Sequence, residues 1–114
     1  MPADDGRTRR YDDGMTHVRV WKFRPADGRE EEFARAYAGD GVWPRLFGKA
    51  AGFRGTSLLR PAGAGGWWLS LDRWASEADF HAFQRDFGDE YRALDAELQG
   101  IAGEEELVGT FEED

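Results

Sequence analysis

The chain reads as an α+β fold, a four-stranded antiparallel sheet with helices on one side, in the ferredoxin-like order β-α-β-β-α-β. Three observations predict it. The run Trp67-Trp68-Leu69-Ser70-Leu71-Asp72-Arg73-Trp74 is strand-like and leads at once into a helix that Ser76 can cap. From Phe80, the residues Phe83, Phe87, Tyr91, Leu94, Leu98 and Ile101 recur at helical spacing. The glycine-rich stretch from Pro61 to Gly66 joins two strand patterns and so marks a hairpin.

The elements follow in order. Residues 1–14 are charged and glycine-bearing with almost nothing apolar, which predicts a disordered tail ahead of one domain over 15–114. Thr16 to Arg24 is the first strand, with Val18 and Val20 on one face and His17, Arg19, Trp21 and Phe23 on the other. Pro25 to Gly28 turns the chain. Asp27 with Glu30 resembles a capping box for a helix carrying Phe33, Ala36 and Tyr37. Gly39 and Gly41 interrupt that helix, and Pro44 opens a second piece with Leu46, Phe47 and Ala50 on its apolar side. Phe53 to Arg60 is the second strand and Trp67 to Trp74 the third. The long helix runs through Gly88, with a kink there, to Gly103, and Leu107 to Phe111 is the last strand.

With 114 residues, 40% hydrophobic and 14% aromatic, the chain supports one modest core. Its net charge of −8 argues against nucleic acid and anionic membrane surfaces as partners. The absence of cysteine removes disulfides and thiolate chemistry and fits a reducing cytoplasm. No apolar run approaches the roughly 20 residues of a membrane span. The glycines at 63, 65 and 66 lack a following lysine and helix, so they read as a turn and not a phosphate loop.

Both faces of the strands carry large apolar residues. Trp67, Leu69 and Leu71 oppose Trp68 and Trp74, as Val18 and Val20 oppose Trp21 and Phe23. A sheet wetted on one side alternates apolar with polar. Helices cover one face; the other predicts a homodimer stacked sheet to sheet, or cover by the tail or by the central helical piece.

Val20-Trp21-Lys22-Phe23, Trp43-Pro44-Arg45-Leu46-Phe47, Gly55-Thr56-Ser57-Leu58-Leu59, Leu69-Ser70-Leu71-Asp72-Arg73-Trp74 with Ser76, Phe83, Glu90-Tyr91, Leu94-Asp95, Glu106 and Gly109-Thr110-Phe111 carry a resemblance. The chain resembles the antibiotic biosynthesis monooxygenase family from about Thr16 to Phe111. The resemblance implies a dimeric α/β barrel. It also implies oxidation of polycyclic phenols such as anthrones to quinones with molecular oxygen, with no cofactor and no metal. An Asn that some members keep ahead of the strand-three Trp is Ser70 here. An early helix Tyr is Phe80. The helix His of the related haem-degrading branch falls at Gln84, with His81 nearby.

Such chemistry takes its electrons from the substrate; the protein supplies an apolar cavity, a base and a donor for the developing oxyanion. Trp74, Ser70 and Asp72 are the candidate catalytic residues. Trp74 is read either as a donor to a ligand oxygen through its indole N–H or as a core residue. Asp72 is either a base, as a carboxylate on a largely apolar face, or half of a structural bridge to Arg45, Arg54 or Arg73. Trp21, Trp43, Phe80, Phe83 and Tyr91 are the candidate walls for a small aromatic substrate. Trp43 is read as a lid or as a hydrophobic staple, and Tyr37 as a second hydroxyl. His17 looks into the cavity or into the dimer core, and His81 lies beside the apolar stripe, toward solvent. Neither histidine stands in a metal-ligand spacing. The alternatives to an oxygenase are a non-enzymatic small-molecule-binding barrel, and an isomerase or cyclase on a similar substrate that needs the base but not oxygen.

Overall fold

A computed structural model describes residues 15–114, and the expected tail over 1–14 lies outside the described residues. In chain order the elements are β1 (Thr16–Pro25), α1 (Glu30–Tyr37), α2 (Val42–Phe47), β2 (Phe53–Leu59), β3 (Trp68–Trp74), α3 (Glu77–Glu97) and β4 (Ala102–Glu113). The strands form one antiparallel sheet in the order β2-β3-β1-β4, with the first and last strands adjacent. This is the expected ferredoxin-like arrangement, its first helical segment being split in two.

One face of the sheet carries His17, Trp21, Phe23, Trp68 and Trp74, and all three helices pack on it. Phe33 of α1 lies 5.2 Å from Phe23 and 5.3 Å from Trp68, ring centre to ring centre. Phe47 of α2 and Phe83 of α3 sit 5.8 and 5.3 Å from Trp74. Two joined aromatic cores result, one around Phe33 and one around Trp74 and Phe83. Rings of this size dominate the burial free energy, about 1.5–3 kcal/mol each.

Ser76 caps α3 as expected, its Oγ accepting the backbone N–H of Asp79 at 3.1 Å. Gly52, which ends the central segment, lies so close to Asp79 that a Cβ there would stand 2.3 Å from its side chain. The kink predicted near Gly88 is centred one residue earlier, at Phe87 (φ −125°, ψ 17°). Two expectations fail. The capping box of Asp27 and Glu30 does not form, because Arg29 takes the N-cap position and its guanidinium turns to Glu32 at 2.8 Å. The long helix ends at Glu97 and not at Gly103, which already belongs to β4. The apolar spacing runs on through Leu98 and Ile101, but Gly100 turns the chain with φ +92°, and Ile101 is buried beside Phe23, Phe33 and Trp68 from a turn.

The outer face carries Val18, Val20, Leu69 and Leu71, flanked by the exposed Leu59 and Phe111. Lys22 and Arg24 lie over the Trp67 ring, 4.5 and 4.1 Å from its centre. No helix among the described residues packs on this face, and α2, one of the covers expected for it, sits on the other side. Among the described residues no helix is long and apolar enough to cross a membrane.

Candidate functional site

Strand register assembles the site. Across β1 and β3, Arg19 stands opposite Asp72, Trp21 opposite Ser70 and His17 opposite Trp74. Across β2 and β3, Thr56 stands opposite Asp72. Thr56, Asp72 and Arg19 therefore form one row over three strands, on the face beneath the helices. Thr56 Oγ1 donates to Asp72 Oδ1 at 2.6 Å. The Arg19 guanidinium lies over the Phe80 ring of α3, 4.0 Å from its centre.

Two adjoining hollows open between this face and the helices. The larger, about 400 Å³, is walled by Trp21, Phe47, Trp74, Phe80, Phe83 and Tyr91, with Arg19 and Asp72 on its sheet side and Gln84, Gly88 and Arg92 on α3. That volume falls within the range of small-molecule sites, about 300–1,000 Å³. The smaller, about 60 Å³, is lined by Trp21, Phe23, Tyr37, Trp43, Phe47, Thr56, Ser70, Asp72, Tyr91, Asp95 and Glu105. Trp21, Phe47, Asp72 and Tyr91 belong to both, so Asp72 lies at their junction.

All eight candidate catalytic and wall residues line one hollow or the other, as does Tyr37, whereas His17 and His81 line neither. Trp74, Phe80 and Phe83 line the larger; Ser70 and Trp43 line the smaller; Asp72, Trp21 and Tyr91 line both. Ser70 and Trp74 thus serve different hollows, although they share a strand face. Trp74 is 1% exposed, and its Nε1 is shielded from solvent with no acceptor among the described residues. The Nε1 of Trp43 is also shielded from solvent, and the Tyr37 hydroxyl is the acceptor near it, without the geometry of a full hydrogen bond. Trp43 is a buried part of the aromatic core, 5.0 Å from Tyr91 and 5.9 Å from Phe47 between ring centres, a position that suits packing better than a lid. Tyr91 is 38% exposed and forms an edge of the site.

Burial raises the pKa of Asp72 to about 6, against the opposing pull of the Thr56 hydrogen bond and the nearby Arg19 charge. Burial likewise raises the hydroxyl of Tyr37, and that of Tyr91 with Asp95 and Glu105 adding to it. Glu105 is pushed up by burial and then by the Asp95 charge. His17 is buried against Phe80, ring centres 6.4 Å apart, and lines neither hollow; burial lowers its pKa and favours the neutral ring. His81 is exposed and turns to Glu77 and Gln84. Among the described residues no three His, Asp or Glu side chains converge as metal ligands.

The bridge expected between Asp72 and Arg45, Arg54 or Arg73 is absent. Arg73 points to the opposite face and binds Glu113 and Ser57. Arg45 donates to the Asp40 carbonyl, and Arg54 to the carbonyls of Ala51 and Phe53. The basic residue beside Asp72 is Arg19, which sequence reasoning placed on the Trp21 face without giving it a role. Thr56, Asp95 and Glu105 were also missed. Side-chain parity could have supplied Arg19; the other three depend on register and on how α3 crosses the sheet.

The sequence profile of a family described as antibiotic biosynthesis monooxygenase matches residues 16–94. No curated protein sequence matches the chain. Several solved structures share the fold. One is a mutant of SnoaB, a cofactor-independent oxygenase from Streptomyces nogalater, at 20% identity and TM-score 0.59, with 84% of this chain and 90% of that one covered. Another is an anthrone oxidase-like protein, at 18% identity and TM-score 0.59, covering 86% of this chain and 46% of that one. A dimeric ferredoxin-like protein of unknown function from Thermobifida fusca matches at 22% identity and TM-score 0.57, with 90% and 95% covered.

Proposed function

Because the chain belongs to the antibiotic biosynthesis monooxygenase family, we propose that it is a cofactor-independent monooxygenase that oxidises an aromatic or polycyclic phenol of anthrone or quinol type with molecular oxygen. The observation that carries this reading is Asp72. It is a carboxylate with a pKa raised to about 6, placed at the junction of two aromatic-walled hollows and free of any ion pair among the described residues. A base poised near neutral pH is what removal of an activated C–H proton needs.

In the proposed reaction on an anthrone, Asp72 takes a proton from the ring CH₂ that lies across the central ring from the carbonyl and is acidified by it through the flanking aryl rings. The resulting carbanion passes electrons to oxygen and forms a C–O bond as a hydroperoxide. Loss of water then leaves a new carbonyl on that carbon. One oxygen atom ends in the product and one in water; the carbon is oxidised by four electrons and oxygen reduced by four. Trp21, Phe80, Phe83 and Tyr91 hold the flat ring system in the larger hollow, and Trp74 orients it. Ser70 and Trp43 serve the smaller hollow behind Asp72. The protein acts as a homodimer with its outer faces stacked, a reading supported by the apolar residues there. A cytoplasmic setting suits a chain with no cysteine.

The test is incubation of the metal-free protein with a panel of anthrones and quinols, under air and under nitrogen. Quinone formation that requires oxygen is the expected result. Turnover that survives under nitrogen replaces the oxygenase with an isomerase or cyclase. Binding with no turnover replaces it with a ligand-binding barrel.

A further inference from the structure

The larger hollow holds one charged pair that does not close on itself. Arg19 and Asp72 face each other across β1 and β3, and each feels the other's charge, yet they form no direct ion pair. Asp72 is occupied by Thr56 at 2.6 Å. Arg19 is fixed by stacking on Phe80 and has no carboxylate partner among the described residues. A half-buried guanidinium in an aromatic cavity carries an unmet demand for an anion, since removing a charge from water without a partner is costly. Its planar fork suits an oxygen anion lying in the plane of a ring.

We propose that the larger hollow takes its aromatic ligand as an oxyanion, a phenolate or enolate, with the ionised oxygen on Arg19 and the ring between Phe80 and Trp21. This deepens the proposed function and rests on it for the ligand class. Arg19 becomes the group that stabilises the negative charge while Asp72, one strand away, handles the proton. The surrounding charges make the direction diagnostic. Asp72 from β3 and Glu77 from α3 disfavour an anion, while Tyr91, whose pKa burial raises, and His17, kept neutral by burial, carry no charge there. Arg92 from α3 also reaches the hollow, but it is largely exposed and already paired with Asp89.

The probe is 2-hydroxyanthraquinone, whose visible spectrum changes when its hydroxyl ionises. Titrated with saturating protein, the bound dye is expected to ionise at least one pH unit below the free dye, a tenfold preference for the anion. Arg19→Gln is expected to return the value to within about 0.3 units of free dye, and Arg19→Lys to keep part of the shift, with folding of each checked by thermal melting. Arg60→Gln, outside both hollows, is expected to match the unsubstituted protein. A bound dye that ionises at or above its free value overturns the proposal. So does no dye binding, a shift that persists in Arg19→Gln, or a shift abolished by Arg92→Gln instead. The readout needs no turnover: anthrones left unoxidised under air would defeat the proposed reaction and leave this result standing.

Discussion

The two faces of the sheet come from the same strands; both are rich in apolar side chains, and they differ in almost everything else. Beneath the helices, Trp21, Phe23, Trp68 and Trp74 surround a row of polar groups, Thr56, Asp72 and Arg19. On the outer face, Val18, Val20, Leu69 and Leu71 form an aliphatic surface, and its cations spread over Trp67 at the edge. One face places charge inside an aromatic cavity, where it is chemically potent because it is poorly solvated. The other keeps its charged groups toward the strand ends, around an aliphatic centre. A one-residue step along β1 or β3 crosses from one to the other. Substitutions at neighbouring positions should therefore fail in different ways.

The largest effect belongs to Asp72. Asp72→Asn keeps the shape and the acceptor for Thr56 but removes the base. Oxygen-dependent turnover of an anthrone-type substrate is expected to fall by about 10²–10⁴-fold, the usual contribution of a positioned base. If the proposed activity is present, the unsubstituted protein should lose it as pH falls through about 6, where Asp72 protonates. A rate that stays within threefold, or a profile flat through that pH, would reassign the base.

One position away, Leu71→Glu should spare the cavity and strike assembly. In the proposed homodimer it puts a carboxylate from each copy between the apolar faces, where an unpaired buried charge costs several kcal/mol. The dimer dissociation constant is expected to rise at least ~100-fold, about 2.7 kcal/mol, read by sedimentation over a dilution series. A variant that remains dimeric would move the interface elsewhere.

Asp72 also makes a stability prediction of opposite sign to its catalytic one. Its folded pKa of about 6 lies above the ordinary 3.8, so between those values the folded protein binds more protons than the unfolded chain. Stability from this group is thus lost as pH rises from about 4 to about 6, by roughly 3 kcal/mol at about 1.4 per unit. Urea unfolding at fixed protein concentration should find Asp72→Asn more stable than the parent at pH 7.5, by up to that amount, with the gap closing at pH 4. Equal stability at both would mean that Asp72 is better solvated than its place among the rings implies.

The division into faces was legible in the sequence because strand parity is local. Trp21 and Phe23 separate from Val18 and Val20, and Trp74 and Asp72 from Leu71, on spacing alone. What parity does not give is register. The row of Thr56, Asp72 and Arg19 exists because β2 shifts its pairing between Phe53 and Gly55, an irregularity invisible in the sequence pattern. Nothing in the spacing marks Arg19 as special, since a lone arginine in a strand ordinarily faces water. Of the three arginines offered as partners for Asp72, Arg73 is its neighbour in sequence, and adjacency in a strand means opposite faces. The start of β4 was misplaced for a related reason. Leu98 and Ile101 continue the apolar period, and only the positive φ at Gly100 reveals that the chain has already turned.

The smallest predicted effect concerns Trp74, where the two readings of one side chain can be separated. Its ring sits among Phe47, Phe53, Phe80 and Phe83, with centres 5.1–5.8 Å away. Its N–H has no acceptor among the described residues and is shielded from solvent. An unmet buried donor costs about 1–3 kcal/mol. Trp74→Phe removes that cost and some packing at once, so the two changes offset and stability should move by no more than about 1–2 kcal/mol. If a ligand oxygen enters to accept the N–H, the same substitution lowers turnover at least tenfold, about 1.4 kcal/mol of transition-state binding. An unchanged rate would leave Trp74 a structural ring whose orphaned donor is simply tolerated. In that case Asp72 and Arg19 would carry all of the polar work on this face.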